Sequence, residues 1–219
     1  DSDYDVRFIY VHPTDWYLSI QEKRDVIEVP VNDSLDINGW DIRKALGLFR
    51  KSNPPLLEWL GSPIVYQKKG DIANRLRELS NEYYSPTSCI YHYLHMAQGN
   101  FREYLKGDEV RLKKYFYVLR PILAIHWIER GYGVAPTMFT DLAERVVTDP
   151  VLKNEINRLI EIKQNGSEQD FGPRIPIFND FIEAELKRLE TQTKDYQGNP
   201  APTELLDEIF RSTLEIAWE

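Results

Sequence analysis

The sequence predicts an α+β protein, a small mixed β-sheet domain followed by an all-helical one. Two patterns carry this. β-Branched and aromatic stretches are confined to roughly the first forty residues. From about residue 68 onward, apolar residues recur at helical spacing instead. The Gly61–Tyr66 stretch, with Pro63, reads as a loop between the two regimes, so residues 1–67 are expected as a sheet domain and 68–219 as a helical domain. The chain has 219 residues, 42% hydrophobic and 12% aromatic, enough for a sizeable core and too apolar for disorder.

Taken in order, Val6–Val11 is the first strand. His12-Pro-Thr-Asp15 is a turn, and Trp16–Ile20 a short extended or helical link. Val26–Val31 reads as a strand that Pro30 pushes toward a sheet edge, because proline cannot donate to the ladder. Asn32-Asp-Ser34 turns the chain. Leu35-Asp-Ile37 is extended again, and Asn38-Gly-Trp40 is expected to turn into a helix. Asp41 fits the cap of that helix, whose residues Ile42, Ala45, Leu46 and Phe49 share one face. A second short helix, Leu56–Leu60, follows Pro54-Pro55. Beyond the boundary, helices are expected at 71–84, 87–105, 110–130, 137–147, 150–164, 179–194 and 203–218, with a kink at Pro121 and a loop over 171–178.

Several function classes are excluded or disfavoured. No apolar run approaches the length of a membrane span. There is neither a P-loop nor a dinucleotide fingerprint. The one cysteine, Cys89, rules out internal disulfides and thiolate zinc clusters and suits a reducing cytoplasm. A net charge of −8 argues against broad nonspecific nucleic-acid binding, though not against a local basic groove.

The candidate site lies at the start of the chain. Asp3 and Asp5 sit two apart at the leading end of the first strand, so their side chains point to one face. Two carboxylates held side by side repel unless a cation lies between them, and an oxygen-only donor set favours Mg²⁺ or Mn²⁺. Asp36 stands between Leu35 and Ile37 in an extended segment; if that segment lies beside the first strand, Asp36 completes a carboxylate trio. Glu28 and Asp33 are its rivals. The plainer reading of each acid is a solvated loop residue.

Ser2-Asp-Tyr-Asp-Val-Arg7 followed by an apolar strand resembles the acidic half of the active site of the DNA polymerase β-like nucleotidyltransferase superfamily. That resemblance implies a Gly-Ser phosphate-binding pair upstream of Asp1, in an N-terminal part of the domain that the sequence does not include. It implies Asp3, Asp5 and Asp36 as metal ligands and catalytic acids, with Ser2 near the nucleotide's phosphates. Arg7, next to the acidic pair, is placed either to contact a phosphate or to hold Asp5 in position. The order Asp36-x-x-Gly-Trp-Asp-x-Arg-Lys-Ala-Leu, Lys51-Ser-Asn-Pro, Leu57-Glu-Trp-Leu60, Ser62-Pro63 and Lys113–Leu123 is similar to one branch, the YcgL-type predicted nucleotidyltransferases associated with RNA repair. The resemblance spans about the first 140 residues.

In the helical half, Lys113, Lys114 and Arg120 stand in a strongly apolar stretch. Lys113, Tyr117 and Arg120 share a helix face, and a cleft between the domains would let them reach a triphosphate. Surface charge for the lysines, a structural ion pair for Arg120 and core packing for Tyr117 are the plainer readings. His92, His95 and His126 lack metal-ligand company, Cys89 reads as packing, and Glu183–Lys194 as a charged helix face.

The expected function is therefore a Mg²⁺- or Mn²⁺-dependent nucleotidyltransferase that moves an NMP from an NTP to an acceptor hydroxyl, with an RNA end as the acceptor under the narrower resemblance. The alternative is an inactive nucleotidyltransferase-like binding or regulatory module. A metal-dependent phosphohydrolase using the same acids is a third reading. No membrane or disulfide-linked partner is expected.

Overall fold

A computed structural model of the chain describes residues 4–30, 35–164, 171–192 and 201–218. In chain order the elements are β1 (Tyr4–Tyr10), α1 (Thr14–Tyr17), β2 (Val26–Glu28), β3 (Leu35–Asp41), α2 (Ile42–Arg50), α3 (Pro54–Leu60), α4 (Ile72–Tyr83) and α5 (Pro86–Tyr104). They continue with β4 (Glu109–Arg111), α6 (Lys114–Glu129), α7 (Phe139–Val146), α8 (Pro150–Gln164), β5 (Phe171–Pro173), α9 (Pro176–Gln192) and α10 (Glu204–Ala217). The architecture is α+β, as the sequence predicts. Two compact units divide it: Asp1–Ser85 with Asn199–Glu219, and Pro86–Gly198.

In the first unit the sheet order is β1-β3-β2. β1 and β3 run parallel in register from Tyr4 beside Leu35 to Tyr10 beside Asp41, while β2 runs antiparallel to β3. The expected turn at Asn38-Gly-Trp40 is instead the second half of β3. This strand is central, so a neighbour on each side meets its backbone groups through Asp41, which outweighs the local turn propensity of Asn-Gly. Gly39 has a packing role in it. Phe8 lies directly across, and a Cβ at Gly39 would fall 2.3 Å from Phe8 Cζ.

The strand ends where the helix begins. Asp41 is buried and its Oδ1 accepts the Arg43 N–H at 2.8 Å, which caps α2 as the sequence suggests. Ile42, Ala45, Leu46 and Phe49 are all buried on the inner face of α2. The α3 helix starts at Pro54 behind the Asn53 cap, two residues earlier than expected, because proline at the first helical position loses no hydrogen bond.

The expected division after residue 67 falls inside this first unit. α4 stays with the sheet, and so does α10, which packs on α2. Arg50 Nε donates to the Ala201 carbonyl at 2.6 Å, Arg75 Nη1 to Ser212 Oγ at 2.8 Å, and Trp218 Nε1 to the His12 carbonyl at 2.9 Å. These contacts join positions more than a hundred residues apart, which sequence periodicity cannot register.

The second unit is built on α6, where nine residues from Tyr115 to Ile128 are buried. A helix apolar on every side belongs inside, and α5, α7 and α9 all pack on it. The helix continues through Pro121. Its start differs from expectation: residues 109–111 form β4, which pairs antiparallel with β5, in a segment expected as loop. Both strands are three residues long, too short for period-two alternation to show. Tyr115 links them to α9, its hydroxyl donating to Asn179 Oδ1 at 2.6 Å and accepting the Ile175 N–H at 2.8 Å.

Candidate active site

The parallel register decides the site. Asp5 lies level with Asp36 on the neighbouring strand, and alternation puts both side chains on one face with Arg7, Asn38 and Trp40. Glu28 is opposite Asn38, one row further along, and is ion-paired with Arg24. Of the described acids weighed beside Asp5, Asp36 is therefore the one the sheet brings to it. Asp33 falls outside the described residues, as do Ser2 and Asp3.

Arg7 joins the two acids. Its Nη2 donates to Asp5 Oδ1 at 2.9 Å and to Asp36 Oδ2 at 2.7 Å. Its Nη1 donates to the Asp36 carbonyl at 2.9 Å and the Val6 carbonyl at 3.1 Å. One guanidinium thus bridges two carboxylates that would otherwise repel at this spacing, and offsets half of their charge. The Asp5 side chain is 70% exposed and that of Asp36 34%, so both carboxylates are partly exposed to solvent.

An all-oxygen pair on adjacent strands suits a hard divalent cation, which takes one or two protein carboxylates and completes its shell with water and phosphate oxygens. Asp5 and Asp36 fit that requirement. Among the described residues no group of three or more His, Cys, Asp or Glu forms a metal cluster, and Asp3, the third acid of the expected trio, is not one of them.

Behind the site, Asp41 faces away from the acid pair. Tyr17 donates to its Oδ2 at 2.6 Å and accepts the His12 N–H at 3.0 Å. Burial, reinforced by that bond to Asp41, pushes the Tyr17 phenol well above its usual range. Tyr17 is a structural anchor that holds the β1–α1 turn against the start of α2. The sequence left residues 16–20 open between strand and helix, because an aromatic pair in a short link has no period to read.

The other candidates lie in the second unit. Lys113 is the residue before α6. Arg120 Nη2 donates to the Pro136 and Thr137 carbonyls at 3.3 and 3.2 Å, which ties α6 to the segment before α7. Tyr117 is half-exposed, and Lys114 sits over its ring at 4.3 Å and over that of Tyr104 at 4.1 Å. A cavity of about 710 Å³ in the same unit is lined by Trp127, Tyr132, Asp141, Glu144 and Arg145, and by none of these four residues.

One charged cluster was not anticipated as such. His126 Nε2 lies 2.7 Å from Glu185 Oε2, and Arg188 bonds both Glu185 and, through two nitrogens, Glu129. The spacing was visible on each helix, His126 with Glu129 and Glu185 with Arg188, both three apart. What joins them is the pairing of α6 with α9.

A family model described as the RNA repair pathway DNA polymerase beta family matches residues 1–212. The chain is 48% identical over 220 residues to "Uncharacterized protein YcgL" of Bacillus subtilis (strain 168), an alignment covering all of this chain and 85% of that protein. A segment is 35% identical over 79 residues to a beta-galactosidase of Felis catus, covering 32% of this chain and 12% of the other. No solved structure gives a significant match. Among the described residues, no helix is long and apolar enough to cross a membrane.

Proposed function

We propose, since this chain belongs to the RNA repair pathway DNA polymerase beta family, that it is a divalent-metal-dependent nucleotidyltransferase acting on a nucleic-acid end. The observation that carries this reading is the level placement of Asp5 and Asp36 on adjacent parallel strands, on a solvent-open face. Asp5 and Asp36, with Asp3 ahead of them in sequence, would hold Mg²⁺ or Mn²⁺. The metal would supply neutralisation of the triphosphate and polarisation of the phosphorus under attack. Asp36 would accept the proton of the acceptor hydroxyl as its oxygen bonds to the α-phosphorus. The bond to the β-phosphate oxygen breaks in the same step and pyrophosphate leaves. Arg7 would orient both carboxylates and then turn toward the phosphates once a cation replaces it between the acids.

Incubation with α-³²P-labelled NTPs, Mg²⁺ and single-stranded RNA bearing a free 3′ hydroxyl tests this. Label joined to RNA, lost with chelator and in Asp36→Asn, is the expected result. Labelled NMP with no labelled RNA would replace the transferase with a hydrolase.

One observation favours a second reading. Arg7 already bridges both acids, so their mutual repulsion is offset by a side chain of this chain itself. An inactive binding module with the same fold would show neither labelled product nor any thermal response to Mg²⁺.

A further inference from the structure

The segment from Gly61 to Gly70 joins α3 to α4, and its base is firmly held. Arg77 Nε, from α4, donates to the Leu60 carbonyl at 2.7 Å. Ser62 Oγ bonds both the Ile64 N–H and the Ile64 carbonyl, which fixes the first turn. Gly70 closes the loop at φ +69°, a conformation that costs glycine little.

The side chains between these clamps face solvent. Ile64, Val65 and Tyr66 are 63%, 57% and 65% exposed, three consecutive large apolar residues without a roof. Lys68 and Lys69 follow, also exposed, and neither has an ion pair among the described residues. From Gly61 to Gly70 there are two lysines and no acid, in a chain whose net charge is −8.

The helix that leads into the loop packs on the acid-bearing face. Trp59, near the end of α3, stacks on Trp40 with ring centroids 3.7 Å apart and planes 24° apart. Trp40 shares a face with Asp36, four positions back on β3. At about 3.3 Å per strand residue, that separation is roughly 13 Å.

We infer that residues 64–69 hold a single-stranded nucleic acid, with Tyr66 stacking on a base and Lys68 and Lys69 meeting its phosphates. The combination of an exposed aromatic platform with unpaired cations is what sequence-tolerant single-strand binding requires. This rests on the transferase reading above, for which it names the element that holds the acceptor.

The test is fluorescence anisotropy of the full chain with a labelled single-stranded oligouridylate, titrated across salt. Wild type is compared with Tyr66→Ala, Tyr66→Phe and the Lys68→Ala/Lys69→Ala pair. Tyr66→Ala weakens binding about tenfold and Tyr66→Phe restores it, because stacking needs the ring and not the hydroxyl. The double lysine variant lowers the slope of log K against log salt by about 1.4, or 0.7 per phosphate contact. Melting temperatures stay unchanged, since none of the three side chains is buried. RNA affinity and salt slope equal to wild type in these variants, or no RNA binding by wild type, overturns the inference. Mg²⁺-dependent binding of labelled NTP to wild type, measured in parallel, separates the two ideas. Its absence sinks the transferase reading, while the RNA comparison still decides the loop.

Discussion

Asp5 and Asp36 stand level on neighbouring parallel strands, with one guanidinium nitrogen of Arg7 within 2.9 Å of an oxygen of each. A divalent cation held by Asp5 and Asp36, as proposed above, would compete with this guanidinium for the same oxygens. Such competition would give the site two states: the observed ion triplet, and a metal-loaded form in which Arg7 is released.

Arg7→Gln separates those states. Without metal it loses charge-assisted bonds to two partly exposed carboxylates and leaves them facing each other. The expected cost is about 1–2 kcal/mol, kept low by solvent screening. Added Mg²⁺ then stabilises Arg7→Gln more than wild type, because the competitor is gone. Thermal unfolding of both proteins in EDTA and in Mg²⁺ reads this directly. Equal metal responses would show that Arg7 and the cation do not share oxygens.

Replacing Asp36 with Asn retains shape and removes charge. Transfer is expected to fall by a factor of about 100 or more, the range for losing one electrostatic group that acts in the transition state. Glu28→Gln, one row away and paired with Arg24, serves as the control and keeps transfer near wild type. Initial rates of label incorporation for the three proteins check the pair of outcomes. Equal losses in both variants would mean the face matters only for its summed charge.

Much of this site was legible in the sequence because it is local. Asp5 and Arg7 are two apart on a strand, so their shared face follows from period two alone. That Asp36 is the partner acid needed the strand order β1-β3-β2, which depends on pairing between residues 31 positions apart, Asp5 and Asp36. The α2 stripe and its Asp41 cap were readable for the same local reason. The β4–β5 ribbon and the addition of α10 to the sheet unit were not, since each is fixed by distant partners.

The Phe8 ring lies over Gly39 in the sheet, which makes that glycine a packing position. Gly39→Ala puts a methyl where the ring is. The ring must swing out, since β3 is held on both sides and cannot yield. Overpacking of this kind costs about 1–3 kcal/mol. Chemical denaturation of Gly39→Ala, and of Gly39→Ala with Phe8→Leu, tests the cause. The double variant should recover part of the loss, and purely additive losses would place the strain elsewhere.

The His126–Glu185–Arg188–Glu129 cluster gives the chain an acid-sensitive element. Burial alone would raise the Glu185 carboxyl, but hydrogen bonds from Arg188 and His126 outweigh it and hold the group below the usual carboxylate range. A carboxyl that is more acidic folded than unfolded contributes stability fully above its unfolded value, about 4.3, and loses it as pH falls through the folded value. Glu185→Gln removes that contribution. At pH 7 the variant is less stable by about 1–3 kcal/mol, the cost of breaking a half-buried charge-assisted network. Below pH 4 the gap narrows, because wild-type Glu185 takes up a proton and resembles the amide. Urea unfolding of both proteins at pH 7, 5 and 3 measures the gap. A difference that stays constant across the three pH values would mean the Glu185 side chain stabilises by shape and hydrogen bonding rather than by charge.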